Sequence, residues 1–141
     1  MAEYLLRHRL GRNSAWRVMS AGTAAIDGMP ASRNAVEVMR EKGIDAGSHV
    51  SRAMTRALAD SADVIVAMTA AHKDDILHTF PDTKRKVFLL KALGTRPVPD
   101  DVDDPVGLTT DAYRRVRDEI DAVLPDVVLF LHEHVGPRRQ V

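Results

Sequence analysis

Residues 63–90, DVIVAMTAAHKDDILHTFPDTKRKVFLL, decide how the rest of the chain is read. A strand with one wet face alternates apolar and polar residues. DVIVAMT does not alternate; it is continuously apolar, the pattern of a parallel strand buried on both faces. AAHKDDILHT reads as a helix that stops before Pro81. KVFLL repeats the continuous apolar pattern. Strand, helix and strand within about 30 residues form the crossover unit of a parallel sheet.

Working outward, the flanking segments fit the same plan. MAEYLLRHRLG (1–11) reads as a helix with Tyr4, Leu5 and His8 on one face and Gly11 at its end. AWRVMSAGT (15–23) suits a strand running into a turn at Gly22. Ser32 can cap a helix that places Ala35, Val36 and Met39 on one face and stops at Gly43. A short helix starts at Thr55. The final helix starts near Thr109 or Thr110, with Ile120 and Leu124 facing inward. Pro125 is expected to break it and open a second segment, DVVLFLHEHVG. The tail PRRQV (137–141) is expected to fray. The resulting order predicts an α/β fold, a parallel sheet flanked by helices on both faces.

The totals narrow the function. The 141 residues suit one domain, 1–141. Lys+Arg and Asp+Glu balance at 20 each, so no basic footprint points to nucleic acid or an anionic membrane. No apolar run approaches a membrane span and no signal-like segment opens the chain, which reads as cytoplasmic. There is no cysteine, so these residues supply no disulfide, thiolate ligand or thiol nucleophile. No cofactor or metal is expected. His132 and His134 are two apart and do not share a helix face. His72 and His78 do not converge and are expected to be partly buried. Met39, Met54 and Met68 fall on apolar faces. Arg114, Arg115 and Arg117 read as a solvated helix face pairing with Asp111, Asp118 and Glu119. No G-x-S-x-G elbow, P-loop or dinucleotide fingerprint occurs.

Taken in order, MAEYLLR (1–7), SAGT (20–23), GMPASRNAVEVMREKGID (28–45), SHVSRAMT (48–55), residues 62–90 and VDDPVGLTTDAYRRVRDEI (102–120) resemble the low-molecular-weight protein tyrosine phosphatases, including the related protein arginine phosphatases. The resemblance implies a Rossmann-like sheet of four parallel strands, order 2-1-3-4. It also implies a phosphate-binding loop, Cys-x5-Arg-Ser-Pro, directly before Met1-Ala2-Glu3. No residue here matches that Cys or that Arg; Arg7, Arg9 and Arg12 lie in the wrong place. The chain therefore reads as truncated at its N-terminus relative to the family, with the first, central strand missing. A central strand burying about five side chains at roughly 1.5–3 kcal/mol each contributes on the order of 10 kcal/mol. Its place would be filled by upstream residues, by a strand exchanged with another chain in a homo-oligomer, or by residues 126–131.

By the same resemblance Asp104, directly before Pro105, is the general acid. Pro105 fixes its own φ and holds Asp104 extended, and Gly107 lets the chain turn. Asp103 is the weaker candidate, and Asp100 and Asp101 read as loop solubility. Val106 stands where many tyrosine-specific members carry an aromatic, which leans toward phosphoarginine. His49, with Ser51 and Arg52, is expected to make a structural hydrogen bond. The implied function is hydrolysis of phosphotyrosine or phosphoarginine on a phosphoprotein substrate through a phosphocysteine intermediate, by a longer form. The chain alone is expected to be inactive; the alternative is a non-catalytic binding or degenerate relative.

Overall fold

The computed structural model describes residues 1–95 and 101–136. Helix α1 (Ala2–Leu10) ends at Gly11, whose φ of +81° only glycine adopts without strain. Helix α2 (Arg33–Arg40) is capped by the Ser32 hydroxyl, which accepts from Ala35 N at 3.3 Å. Thr55 caps α3 (Arg56–Ser61) in the same way. Strand β1 (Ile65–Ala67), helix α4 (Ala70–Thr79) and strand β2 (Val87–Leu89) form the crossover unit expected from residues 63–90. The strands run parallel, with Ile65 opposite Val87 and Ala67 opposite Leu89. Helix α5 (Thr110–His134) starts from the Thr109 cap and closes the chain.

The small sheet separates two apolar clusters. On one side Leu5, Met39, Leu90, Ile120, Leu124 and Val127 bring together α1, α2 and α5. On the other, Ala59, Ala67, Ile76, Phe80 and Val87 join α3 and α4 to the strands. Residues 64, 66 and 68 face the first cluster, and residues 65 and 67 the second. Apolar side chains are thus demanded on both faces of β1, which is why its sequence does not alternate. Met39 is fully buried, and Met54 and Met68 pack against the clusters.

Four expectations about the fold need correction. AWRVMSAGT (15–23) is expected as a strand running into a turn at Gly22, but residues 15–20 make no ladder among the described residues. A strand requires a neighbour for its amides, and here the Val18 carbonyl instead accepts from the Arg7 guanidinium at 2.6 and 3.0 Å. Among the described residues the pairing nearest to them is a parallel bridge between Gly22 and Ala53. Residues 126–131 fill no gap in the sheet, because they are helical.

Pro125 does not end the helix; α5 runs through it for 25 residues. A proline there removes the amide that would bond the Asp121 carbonyl. Arg9, on α1, supplies a substitute: its guanidinium donates to that carbonyl at 3.4 Å and to the Asp121 carboxylate at 2.8 Å. Pro125 itself is exposed, so its ring faces water rather than the core.

The arginine group on α5 is also not a uniformly solvated face. Arg114 pairs with Glu41 at 2.6 Å and with Asp111. Arg117 is buried, 5% exposed. It donates to the Val38 carbonyl and to Glu41, both at 2.7 Å, and pairs with Asp118. The bonds from Arg114 and then Arg117 hold the Glu41 carboxyl down at about 2. Glu119 pairs instead with the buried Lys91.

The Arg9 substitution for a lost amide gives a measurable coupling. Pro125→Ala restores the helical donor and is expected to raise stability by about 1–3 kcal/mol. Arg9→Ala is expected to destabilise the parent more than it does the Pro125→Ala background. Urea unfolding of the four members of this cycle measures the difference.

Candidate functional site

The loop carrying Asp104 comes after β2 in the chain and is held against the carboxyl end of β1, the end at which open parallel sheets hold their ligands. Its base is fixed by three bonds. Val102 N donates to the Met68 carbonyl at 2.9 Å. The Asp101 carboxylate accepts from Ala70 N at 2.7 Å, in the first turn of α4. The buried Lys91 ammonium donates to the Asp101 carbonyl at 2.6 Å. Asp101 therefore anchors the loop and is not there for solubility alone; the contact joins residues 31 apart in sequence and local pattern could not show it. Asp100 lies outside the described residues.

Past the base, Pro105 is buried and Leu108 N bonds the Pro105 carbonyl at 2.9 Å, closing a tight turn. Gly107 sits at φ +78°, the left-handed geometry that this turn needs. Asp104 is exposed, and its carboxylate accepts from Val106 N at 3.0 Å. Asp103 is exposed as well. The downstream end is tied to α2: the Asn34 side-chain amide donates to the Leu108 carbonyl at 3.1 Å and its oxygen accepts from Thr110 at 3.3 Å. Val106 and Leu108 project from the turn, 73% and 57% exposed. The arrangement presents the Asp103 and Asp104 carboxyls to solvent from a segment held at both ends. It can give or take a proton at a fixed place.

A second polar group gathers around Glu3, which is 7% exposed. Its carboxylate pairs with Arg7 at 2.6 Å, accepts from the Ser20 hydroxyl, and lies 3.9 Å from His49 Nδ1. Tyr4 meets the His49 ring edge-on at 5.7 Å. Burial, opposed by the Glu3 charge, lowers the His49 pKa from its ordinary 6.5; Arg52 and Arg7 push it the same way. Ser51 is structural: its hydroxyl donates to the Ile26 carbonyl at 2.5 Å and accepts from Met29 N at 3.0 Å. Sequence reading singled out His49 but missed Glu3 and Ser20, whose sole signal was an acidic residue on a mainly apolar helix.

The remaining histidines do not converge. His72 and His78 are exposed rather than partly buried, because Ile76 takes the inward face of α4. His132 lies edge-on to Trp16 at 5.9 Å, and His134 stacks on Phe130 at 4.5 Å. Among the described residues no three His, Asp or Glu side chains gather as metal ligands would. No described helix is long and apolar enough to cross a membrane.

Comparison with known proteins places this geometry. Residues 1–136 match the low molecular weight phosphotyrosine protein phosphatase family, and the chain belongs to it. It is 41% identical over 127 residues to a protein-arginine-phosphatase of Bacillus subtilis, covering 88% of this chain and 82% of that one. It is 34% identical over 127 residues to EpsP of Ralstonia solanacearum, a probable low molecular weight protein-tyrosine-phosphatase, covering 90% and 86%. The solved structure of the YwlE arginine phosphatase from Geobacillus stearothermophilus superposes with a TM-score of 0.85 at 33% identity, covering 99% of this chain and 88% of that chain.

The lowered His49 pKa has a definite sign. The folded state favours the neutral ring, so the unfolded chain binds the extra proton first and stability falls as pH drops below 6.5. His49→Gln removes that contribution. Its urea midpoint, relative to the parent, is expected to be constant above about pH 7.5 and to rise steadily as the pH falls toward about 5.

Proposed function

We propose that this domain serves dephosphorylation of a phosphoprotein, phosphoarginine before phosphotyrosine, with Asp104 as the proton donor to the leaving nitrogen or oxygen. The observation that carries the reading is the Asp104 turn itself. In a chain of this family, a carboxyl directly precedes a buried proline and is held at both ends, at the carboxyl end of a parallel strand. The non-aromatic Val106 beside it favours the smaller, non-phenyl substrate, as does the identity to a protein-arginine-phosphatase.

In this reading residues 1–141 act as one domain. A thiolate attacks phosphorus, the P–N or P–O bond breaks as Asp104 passes its proton to the leaving atom, and water then releases phosphate from sulfur. The 141 residues hold no cysteine, so the thiolate and its cradle must come from a Cys-x5-Arg-Ser-Pro segment additional to them. That same absence favours a second reading, a non-catalytic relative that binds phosphoproteins or regulates another chain.

Two proteins separate these readings: residues 1–141 alone, and residues 1–141 preceded by an apolar strand and the Cys-x5-Arg-Ser-Pro loop that the family resemblance implies. The extended protein is expected to hydrolyse phosphoarginine peptides and para-nitrophenyl phosphate, and the shorter one to stay at background. Asp104→Asn in the extended protein is expected to lower kcat by about 10²–10⁴ for peptide leaving groups. A folded, extended protein without turnover would favour the binding role. Full activity in Asp104→Asn would remove the acid from Asp104.

A further inference from the structure

A cleft of about 480 Å³ opens between α1, the residues that follow α2, and α5, a size that suits a small ligand. Leu5 and Ile44, both buried, form its apolar floor. His8, Arg9, Lys42 and Asp121 stand around that floor. The cleft is remote from the Asp104 turn. Helix α5 starts at Thr110, just past the turn, and Asp121 lies about three helical turns further on, roughly 16 Å at about 1.5 Å per residue.

Charge in the cleft is unbalanced, although the chain as a whole is neutral. Two cations converge on one carboxylate: Arg9 reaches one Asp121 oxygen at 2.8 Å and Lys42 reaches the other at 2.7 Å. Like charges brought this close repel, and Asp121 offsets only one of them. The next carboxylate, Asp118, lies 3.8 Å from the Lys42 ammonium but is bonded to the buried Arg117 at 2.7 Å. Glu119, one residue on, is taken by Lys91.

Hydrogen-bond donors are also left over. Arg9 commits only Nη2, so its Nε and Nη1 find no acceptor among the described residues. Lys42 places one bond of the three its ammonium can make. One surplus positive charge, with free donors above an apolar floor, matches a ligand with a single oxyanion at one end and hydrocarbon behind it. We infer that this cleft binds a small aliphatic carboxylate, its head between Arg9 and Lys42 and its chain over Leu5 and Ile44.

The inference is independent of the dephosphorylation reading, because the ligand carries no phosphate and the readout is binding. The probe is hexanoate, titrated into residues 1–141 and followed by amide nuclear magnetic resonance. The expected result is saturable one-site shifts in residues 5–9 and 42–44, with a Kd of about 1 mM or lower. Acetate, the head without the chain, and hexanamide, the chain without the charge, are each expected to bind at least about tenfold more weakly. Lys42→Gln is expected to weaken hexanoate at least about fivefold, and Lys42→Arg to restore it. Cooperative urea unfolding of both variants checks that the fold persists, and the hexanamide comparison needs no variant at all.

Absence of saturable shifts would overturn the inference, as would shifts centred on residues 102–108. Equal affinity for acetate or hexanamide would do the same, and so would hexanoate affinity unchanged by Lys42→Gln.

Discussion

Asp121 carries a carbonyl that no amide in its own helix can reach, because Pro125 stands four residues on. Arg9 answers it from α1, 112 residues away in sequence, and its second contact neutralises the Asp121 carboxylate in concert with Lys42 at 2.7 Å. Burial alone would raise the pKa of that carboxyl; the bonds from Lys42 and Arg9 outweigh it and hold the group below its ordinary value. The outcome is a helix that continues for two more turns beyond the proline. Those turns bring Val127 and Leu131 onto the core, and they meet α1 along the way. A helix ending at residue 124 would leave the cluster around Leu5 without its far wall.

The same long helix fixes α2. Arg117 enters the protein interior, yet it does so with its donors committed to the Val38 carbonyl and two carboxylates. Burying a guanidinium without partners is strongly unfavourable, so the position of α2 and the conformation of Arg117 specify each other. Because Asn34 on α2 holds the downstream end of the Asp104 turn, the placement of the Asp104 carboxyl depends on this buried ion group as well as on the strand.

What could be read from the sequence follows from how local each cause is. Ser32, Thr55 and Thr109 cap helices through amides three residues away; the first two positions were legible, and the third was legible as Thr109 or Thr110. The unbroken apolar runs revealed β1 and β2, because burial on both faces leaves no alternation. Gly11 and Gly43 end their helices at positive φ, as expected of glycine. Three of the failures involve distant partners. Nothing near Pro125 announces Arg9, nothing near Asp101 announces Ala70, and the pattern around Arg117 looks like a wet helix face until α2 is laid across it. Residues 15–20 failed for a different reason. Their composition suits a strand, but a strand is a property of two segments. For the site, Asp104 came from the ordered resemblance and not from any local feature, since Asp-Pro pairs are common in solvated loops.

The turn that bears Asp104 behaves as a handle with two fixed mounts. One mount is the carboxyl end of β1, where Lys91, Ala70 and Met68 grip residues 101 and 102. The other is Asn34 on the opposite layer. Between them only a handful of residues can swing, so the arc open to the Asp104 carboxyl is short. Its reach is set by the spacing of two layers of the fold and not by the loop's own sequence. A change in the gap between sheet and α2, wherever it originates, is transmitted directly to the height at which that carboxyl stands.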